Sequence, residues 1–269
     1  MLFPHSLCIV RGGGDLATGV VYRLRRAGLP VLILELDRPR TVRRGAAFAE
    51  AMFVGEATVN GLLARRMTLP DLFDPLAAAS QFIPVLIDPE GEAIRRWRPA
   101  VVVDARLAKQ PLDTTLTDAP FVVGLGPGFA AGAHCHAIIE TNRGHDLGRV
   151  LWQGSALPDT GQPEAVLGFE NERVLRAPQA GTLRAHKAIG DFVQYSDLIA
   201  EVGGQPVLAP FIGILRGLIY DGLVVAAHEK IGDIDPRGNH EACFTISDKA
   251  LAVGGGVVEA VLTWMQNEQ

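Results

Sequence analysis

The feature that most limits what this chain can become is a repeat, at an offset of 32 residues, in its second half. Ala177-Pro178, Gly181, Leu183-Arg184, Gly190, Val193, Ile199 and Val202 return as Ala209-Pro210, Gly213, Leu215-Arg216, Gly222, Val225, Ile231 and Ile234. Glycines hold the turn positions and branched aliphatic residues the apolar ones, so each copy reads as a short β unit. A unit of that size buries too little apolar surface to stand alone, whereas two sharing a core can do so. A duplicated all-β domain is therefore expected over residues 172–236.

Upstream the periodicity changes. Leu7 to Val10 is an apolar run ending in Gly12-Gly13-Gly14; Leu16, Ala17, Val20, Val21 and Leu24 then follow at helical spacing, and Val31 to Leu34 is a second apolar run. Strand, glycine turn, helix and strand within about 30 residues make a βαβ unit of a parallel sheet. The runs Ile83 to Ile87, Val101 to Val103 and Phe121 to Val123 read as further buried strands. Ala57 to Met67, centred on Asn60-Gly61, reads as a hairpin with a tight turn. Residues 1–157 are thus expected to form a Rossmann-like α/β domain with a parallel sheet. Pro158 to Glu172 lacks apolar periodicity and marks the junction. Residues 237–269 form a C-terminal segment with a helix that can pack back on the first domain. Ser247 or Asp248 can cap that helix, but Gly254-Gly255-Gly256 interrupts its pattern. Glycines cost about 1 kcal/mol each inside a helix. Either a phosphate-like group or another backbone approaches there, or the helix begins only after Gly256.

The balance of 25 Lys plus Arg against 30 Asp plus Glu, with no concentrated basic run, argues against nucleic acid as a partner. No stretch approaches the roughly 20 apolar residues of a membrane helix, and Met1 to Val10 reads as a strand rather than a signal peptide. Cys8, Cys135 and Cys243 are few, odd in number and widely spaced, so a reducing cytoplasm is the expected compartment.

Several motifs can carry chemistry. Gly12-x-Gly14-x-x-Ala17, with Gly13 and Asp15 inside it, fits a dinucleotide fingerprint in which glycines let a pyrophosphate reach the helix N-terminus. Glu35, at the end of the second strand, can accept from a ribose hydroxyl. The same glycines also suit a turn that merely packs helix on sheet, and the charge of Asp15 opposes a phosphate beside it. Arg38, Arg40, Arg43 and Arg44 can bind a phosphate or acidic pterin tail, or line a solvated loop. Gly124-x-Gly126-x-Gly128 ends another run where it would lie near the first glycine loop, or forms a turn around Pro127. In Asn142-Arg143-Gly144-His145-Asp146, Arg143 can bind phosphate and Asp146 can orient His145 as acid or base. A network of structural hydrogen bonds explains that loop equally well. His134-Cys135-His136 places its thiol opposite its imidazoles in a strand, which disfavours a metal.

The Ala-Pro-x-x-Gly and Gly-x-x-Val turns of the repeat resemble those of biotinyl and lipoyl carrier domains, which implies a barrel-sandwich of two halves. Carriers bear a modifiable lysine on the hairpin between the halves. Here that hairpin reads Glu201-Val202-Gly203-Gly204-Gln205-Pro206, so covalent biotin or lipoate is not expected. Taken together, Arg11 to Gly19, Glu140 to Gly148 and Ser247 to Gly256 resemble the YqeB-like accessory and maturation proteins of selenium-dependent molybdenum hydroxylases. That resemblance spans nearly the whole chain. It implies a role in maturing or inserting the molybdenum cofactor, with or without its labile selenium, and a molybdenum hydroxylase or another cofactor-maturation protein as partner. The implied ligand is a nucleotide or dinucleotide, NAD(P) and molybdopterin dinucleotide being the candidates. A free-standing NAD(P)-dependent oxidoreductase is the alternative, although no Tyr-x-x-x-Lys relay supports it.

Overall fold

A computed structural model describes residues 1–68, 74–108, 112–159, 166–169 and 171–267. Its first half runs β1 (Cys8–Arg11), α1 (Asp15–Arg26), β2 (Val31–Glu35), α2 (Ala51–Val54), β3 (Glu56–Val59), β4 (Leu62–Met67) and α3 (Pro75–Gln81). It continues through β5 (Ile83–Ile87), α4 (Glu92–Trp97), β6 (Val101–Asp104), β7 (Phe121–Leu125), β8 (Ala130–Ala131), β9 (Ala137–Ile139), β10 (Val150–Leu151) and β11 (Gly154–Ser155).

Nine of these strands form one sheet in the order β10-β9-β7-β6-β1-β2-β5-β4-β3. Successive residues of its apolar strands face opposite ways, so both faces are buried. Val10, Ile33, Val103 and Val123 join the core on the α1 face, while Ile9, Leu32, Val102 and Val122 join the core with Ala93 and Ile94 of α4.

The second half contributes β12 (Val174–Arg176), β13 (Gly181–Ala185), β14 (Phe192–Val193), β15 (Leu198–Val202), β16 (Gln205–Leu208), β17 (Gly213–Leu218), β18 (Val224–Val225) and β19 (Lys230–Asp235). They form two four-stranded sheets, β12-β19-β17-β14 and β16-β15-β13-β18, paired antiparallel. The repeat positions Leu183, Val193, Ile199 and Val202 share one core with Leu215, Val225, Ile231 and Ile234. The two copies interlock, since β14 of the first pairs with β17 of the second and β18 of the second pairs with β13 of the first. The chain ends in α5 (Asp248–Asn267), which packs along α1.

This architecture corrects the expected fold class. The large sheet is mixed, not the parallel sheet of a Rossmann-like domain: β3 pairs antiparallel with β4, and β10 with β9. A parallel neighbour needs a crossover of a dozen or more residues. Asn60 and Gly61 alone connect β3 to β4, both at positive φ (47° and 77°), and force the reversal. The second half is two antiparallel sheets seated on the first half rather than a barrel-sandwich carrier domain. Phe53 stacks on Tyr220 with centroids 3.9 Å apart, Val42 lies against Gly217, and Arg40 pairs with Glu229 at 2.6 Å. Of the expected junction, residues 160–165 and 170 lie outside the described residues.

Two of the three glycines of α5, Gly254 and Gly256, are explained by a second backbone. A Cβ at Gly254 would collide with the Gly19 carbonyl of α1, and one at Gly256 with the Gly148 carbonyl. The helix therefore runs unbroken from Asp248, through all three glycines, to Asn267.

Candidate functional site

The parallel strands β1, β2 and β6 end together, and a cavity of about 580 Å³ lies beyond them. Its floor is the glycine loop. Gly12, at φ +95°, donates its N–H to the Leu34 carbonyl at 2.8 Å, and a Cβ there would sit 3.2 Å from the Ala105 carbonyl oxygen. Gly14 is the N-cap of α1, with ordinary φ and no side-chain cap, and a Cβ on it would meet only Thr41 Oγ1 at 3.9 Å. The first N–H groups of a helix have no partner within it, so this uncapped terminus offers donors and the positive end of a dipole.

Glu35 reaches back from the end of β2. Its Oε2 accepts from Gly13 N–H and its Oε1 from Leu36 N–H, both at 2.7 Å. Burial raises its pKa, with the two N–H groups opposing. The carboxylate thus ties the glycine turn to β2, and each oxygen keeps a lone pair for a hydroxyl donor.

A charge network forms the far wall. Arg11 is 3% exposed, and its Nη1 and Nη2 donate to Asp113 Oδ1 and Oδ2 at 2.9 and 2.7 Å. Thr114 Oγ1 donates to Asp104 Oδ2 at 2.6 Å, and Arg106 Nη2 pairs with the same oxygen at 2.5 Å. Arg43 offsets Asp15 at 3.1 Å, which relieves the repulsion that Asp15 would exert on a phosphate. Leu16, Leu34, Leu36, Val42, Leu107 and Leu112 supply the apolar remainder. This volume, an apolar wall and a few oriented polar groups are what a small-molecule pocket needs.

Of the sequence candidates, Gly12, Gly14, Asp15, Ala17 and Glu35 line this cavity, with Gly13 held by Glu35. Arg40 and Arg43 line it too, whereas Arg38 Nη2 donates to the Gly222 carbonyl at 3.3 Å and Arg44 Nε to the Leu218 carbonyl at 2.9 Å. The second glycine set serves packing. A Cβ at Gly124 would strike the Phe129 ring at 2.5 Å, one at Gly126 the Thr141 hydroxyl, and Gly128 turns at φ +102°. None of the three lines the cavity.

Asn142 and Arg143 line a separate polar cleft of about 1250 Å³, and Arg143 pairs with Asp248 at 2.9 Å. Asp146 pairs with Arg149 at 2.9 Å rather than orienting His145, which is exposed. His134 Nδ1 and His136 Nδ1 each accept a backbone N–H at 3.0 Å, from Ala130 and Val122, so both imidazoles are structural. Among the described residues no group of three or more His, Cys, Asp or Glu is placed to hold a metal ion, and no helix is long and apolar enough to cross a membrane. Asp104, Arg106, Asp113 and Thr114 went unread in the sequence, and Arg11 was read only as the start of a motif, with no role of its own. The only signal for them was a charged residue ending each of two apolar runs, Arg11 on β1 and Asp104 on β6.

No family model matches the chain. Among solved structures it shows loose likeness to an aspartoacylase family protein from Mesorhizobium loti, at 10% identity and a TM-score of 0.26 over 85% of this chain and 84% of that one. A succinylglutamatedesuccinylase/aspartoacylase from Rhodobacter sphaeroides gives 14% identity and a TM-score of 0.27 over 86% and 85%. Likeness this low carries neither fold nor activity across. The sequence relation is much stronger: 47% identity over 261 residues to the uncharacterized protein YqeB of Escherichia coli (strain K12), covering 97% of this chain and 48% of that protein. This chain therefore spans about half the length of that curated relative and is similar to it across that half.

Proposed function

We propose that this chain binds a nucleotide or nucleotide-bearing cofactor in the glycine-loop cavity and acts as an accessory protein in maturing or inserting the molybdenum cofactor of a molybdenum hydroxylase. The observation that carries the binding reading is the uncapped α1 terminus at Gly14, open to a cavity of about 580 Å³ with Glu35 and Arg43 at its sides. Glu35 would accept from a ribose hydroxyl, the α1 N–H groups would hold a phosphate, and the leucines would cover a base. The accessory role rests on the motif resemblance of Arg11 to Gly19, Glu140 to Gly148 and Ser247 to Gly256. A free-standing NAD(P)-dependent oxidoreductase would use the same loop. Among the described lining residues, however, there is no tyrosine, histidine or cysteine to move a proton beside a hydride.

Calorimetry of the purified protein against NAD(H), NADP(H), CTP and ATP tests the binding, with Gly14→Val as the variant that fills the open space. Gly12→Val is a poor probe, because the positive φ and the Ala105 backbone make it a folding defect as well. Saturable binding lost in Gly14→Val supports the site; equal binding by both proteins rejects it. In a host that makes a selenium-dependent molybdenum hydroxylase, deleting this protein should leave the hydroxylase polypeptide present but inactive and low in metal or selenium. Normal hydroxylase activity in the deletion strain rejects the maturation role.

A further inference from the structure

The second cleft, about 1250 Å³, lies where β19, the loop after it and the start of α5 meet the first half. Seven basic side chains line it, against the two carboxylates Asp233 and Asp248. Internal pairing uses up part of this excess. Arg143 is matched by Asp248, Arg173 by Asp233 at 3.2 Å, and Arg237 by Asp235 at 2.6 Å.

Arg216 has the longest carboxylate contact of the cleft's arginines. Its side chain is 14% exposed, its nearest carboxylate is Asp235 at 3.5 Å, already taken by Arg237, and its buried Nε has no hydrogen-bond partner among the described residues. Arg43 Nε, on the same cleft, is likewise buried without a partner. Burial, and after it the charge of Arg43, hold the Arg216 guanidinium below its ordinary pKa. Lys230 is exposed at the rim, with no ion-pair partner among the described residues, and with Arg43 it lines both this cleft and the glycine-loop cavity. Arg43 also bonds Asp15 and the Ala242 carbonyl and Arg216 keeps its long contact with Asp235, but buried Nε donors without an acceptor, crowded by like charge, are costly unless a further anion lies close.

The repeat sharpens the point. Arg184, the counterpart of Arg216 in the first copy, is exposed to solvent; only the second copy carries its arginine under the first half of the chain. We propose that this cleft is an oxyanion site for a phosphoryl-type polyanion, with Arg216, Arg43 and Lys230 as its principal contacts. Guanidinium groups suit that ligand because their fork matches two phosphate oxygens at once, and Lys230 adds a point charge at the entrance. The source is either free pyrophosphate or the diphosphate of a nucleotide whose remainder lies in the adjoining cavity. The cleft shares Arg43 and Lys230 with the wall of the glycine-loop cavity, whereas Arg216 lines the cleft alone, so the Arg216 variant tests this site apart from the glycine-loop reading.

Titration calorimetry on the full chain with inorganic pyrophosphate, at constant ionic strength maintained with chloride, decides the matter. Saturable one-to-one binding is expected in the parent. Arg216→Gln should weaken it at least tenfold, and Lys230→Gln, an exposed change that leaves folding intact, several-fold. Lys187→Gln removes the same charge from a surface pair that lines neither cavity and should bind like the parent. Arg216→Gln should also raise the melting temperature in pyrophosphate-free buffer, because it relieves like-charge crowding. Gly14→Val should bind pyrophosphate normally, and with ATP as the probe it separates the sources. ATP affinity that falls in Gly14→Val to the pyrophosphate level means one ligand bridges both cavities; ATP affinity equal to that of pyrophosphate in the parent means the cleft takes the free anion. No saturable heat in the parent, or equal weakening by Lys187→Gln and Lys230→Gln, overturns the site.

Discussion

Gly254 of α5 rests directly on the Gly19 carbonyl of α1, and Gly19 in turn faces the Ala250 carbonyl, so two helices touch through their backbones. Gly255, one residue on, has nothing within 4 Å of where its Cβ would be. Alanine should therefore act oppositely at neighbouring positions. Gly254→Ala forces the helices apart and should lower stability by about 1–3 kcal/mol. Gly255→Ala meets no obstacle and should raise it by up to about 1 kcal/mol through helix propensity. Urea midpoints of the two variants check this; a stabilising Gly254→Ala would contradict the contact.

Asp235 is 1% exposed, and burial alone would raise its pKa, but its bonds and charge interactions with Arg237, with Arg216 behind, hold the carboxyl at about 2. The folded value lies below the unfolded one, so this contribution is fully present above about pH 4 and is lost as pH falls towards about 2. Asp235→Asn should remove that part of the acid dependence and lower stability at neutral pH by about 1–3 kcal/mol, since Arg216 and Arg237 lose their acceptor. Urea unfolding of parent and variant across that pH range should show converging midpoints at the acid end.

Cys8 and Cys135 are fully buried, and burial pushes their thiols up to about 12 and about 11; Cys243 is also buried and shifted upward. The thiolate is the reactive form, so none should act as a sulfur-handling nucleophile in the native state. Iodoacetamide near pH 8 should leave all three unmodified in the folded protein and label all three in urea. Rapid native labelling of Cys135 would reopen a thiol role.

The fragment 172–236 contains both copies of the repeat, and its first strand, β12, pairs with its last, β19. It should melt cooperatively by itself, though less stably than in the whole chain, because it loses the Phe53–Tyr220 stack and the Val42 contact. Cutting at Gly203-Gly204 should leave neither half folded, since β13 and β14 each pair with a strand of the other copy. A cooperative melt from one half would show that the cores are separate.

Local periodicity determined much on its own. The apolar runs that became β1, β2, β5, β6 and β7, the Asn60-Gly61 hairpin and the 32-residue repeat were all legible, because each depends on neighbours in sequence and on the backbone freedom of a few turn residues. Glu35 and the first glycine loop were placed together for the same reason, being two ends of one βαβ unit. The addition of the β3–β4 hairpin to the large sheet, its antiparallel β10 edge, the continuity of α5 through its glycines and the structural role of Gly124 to Gly128 were not legible. Each is decided by what approaches from elsewhere: β5 beside β4, the Gly19 and Gly148 carbonyls, the Phe129 ring and the Thr141 hydroxyl. The cation-lined cleft is the extreme case. Arg43, Arg143, Arg216, Lys230 and Arg237 share no motif and no spacing, and only the seating of the second repeat against the first half brings their charges within range of one anion.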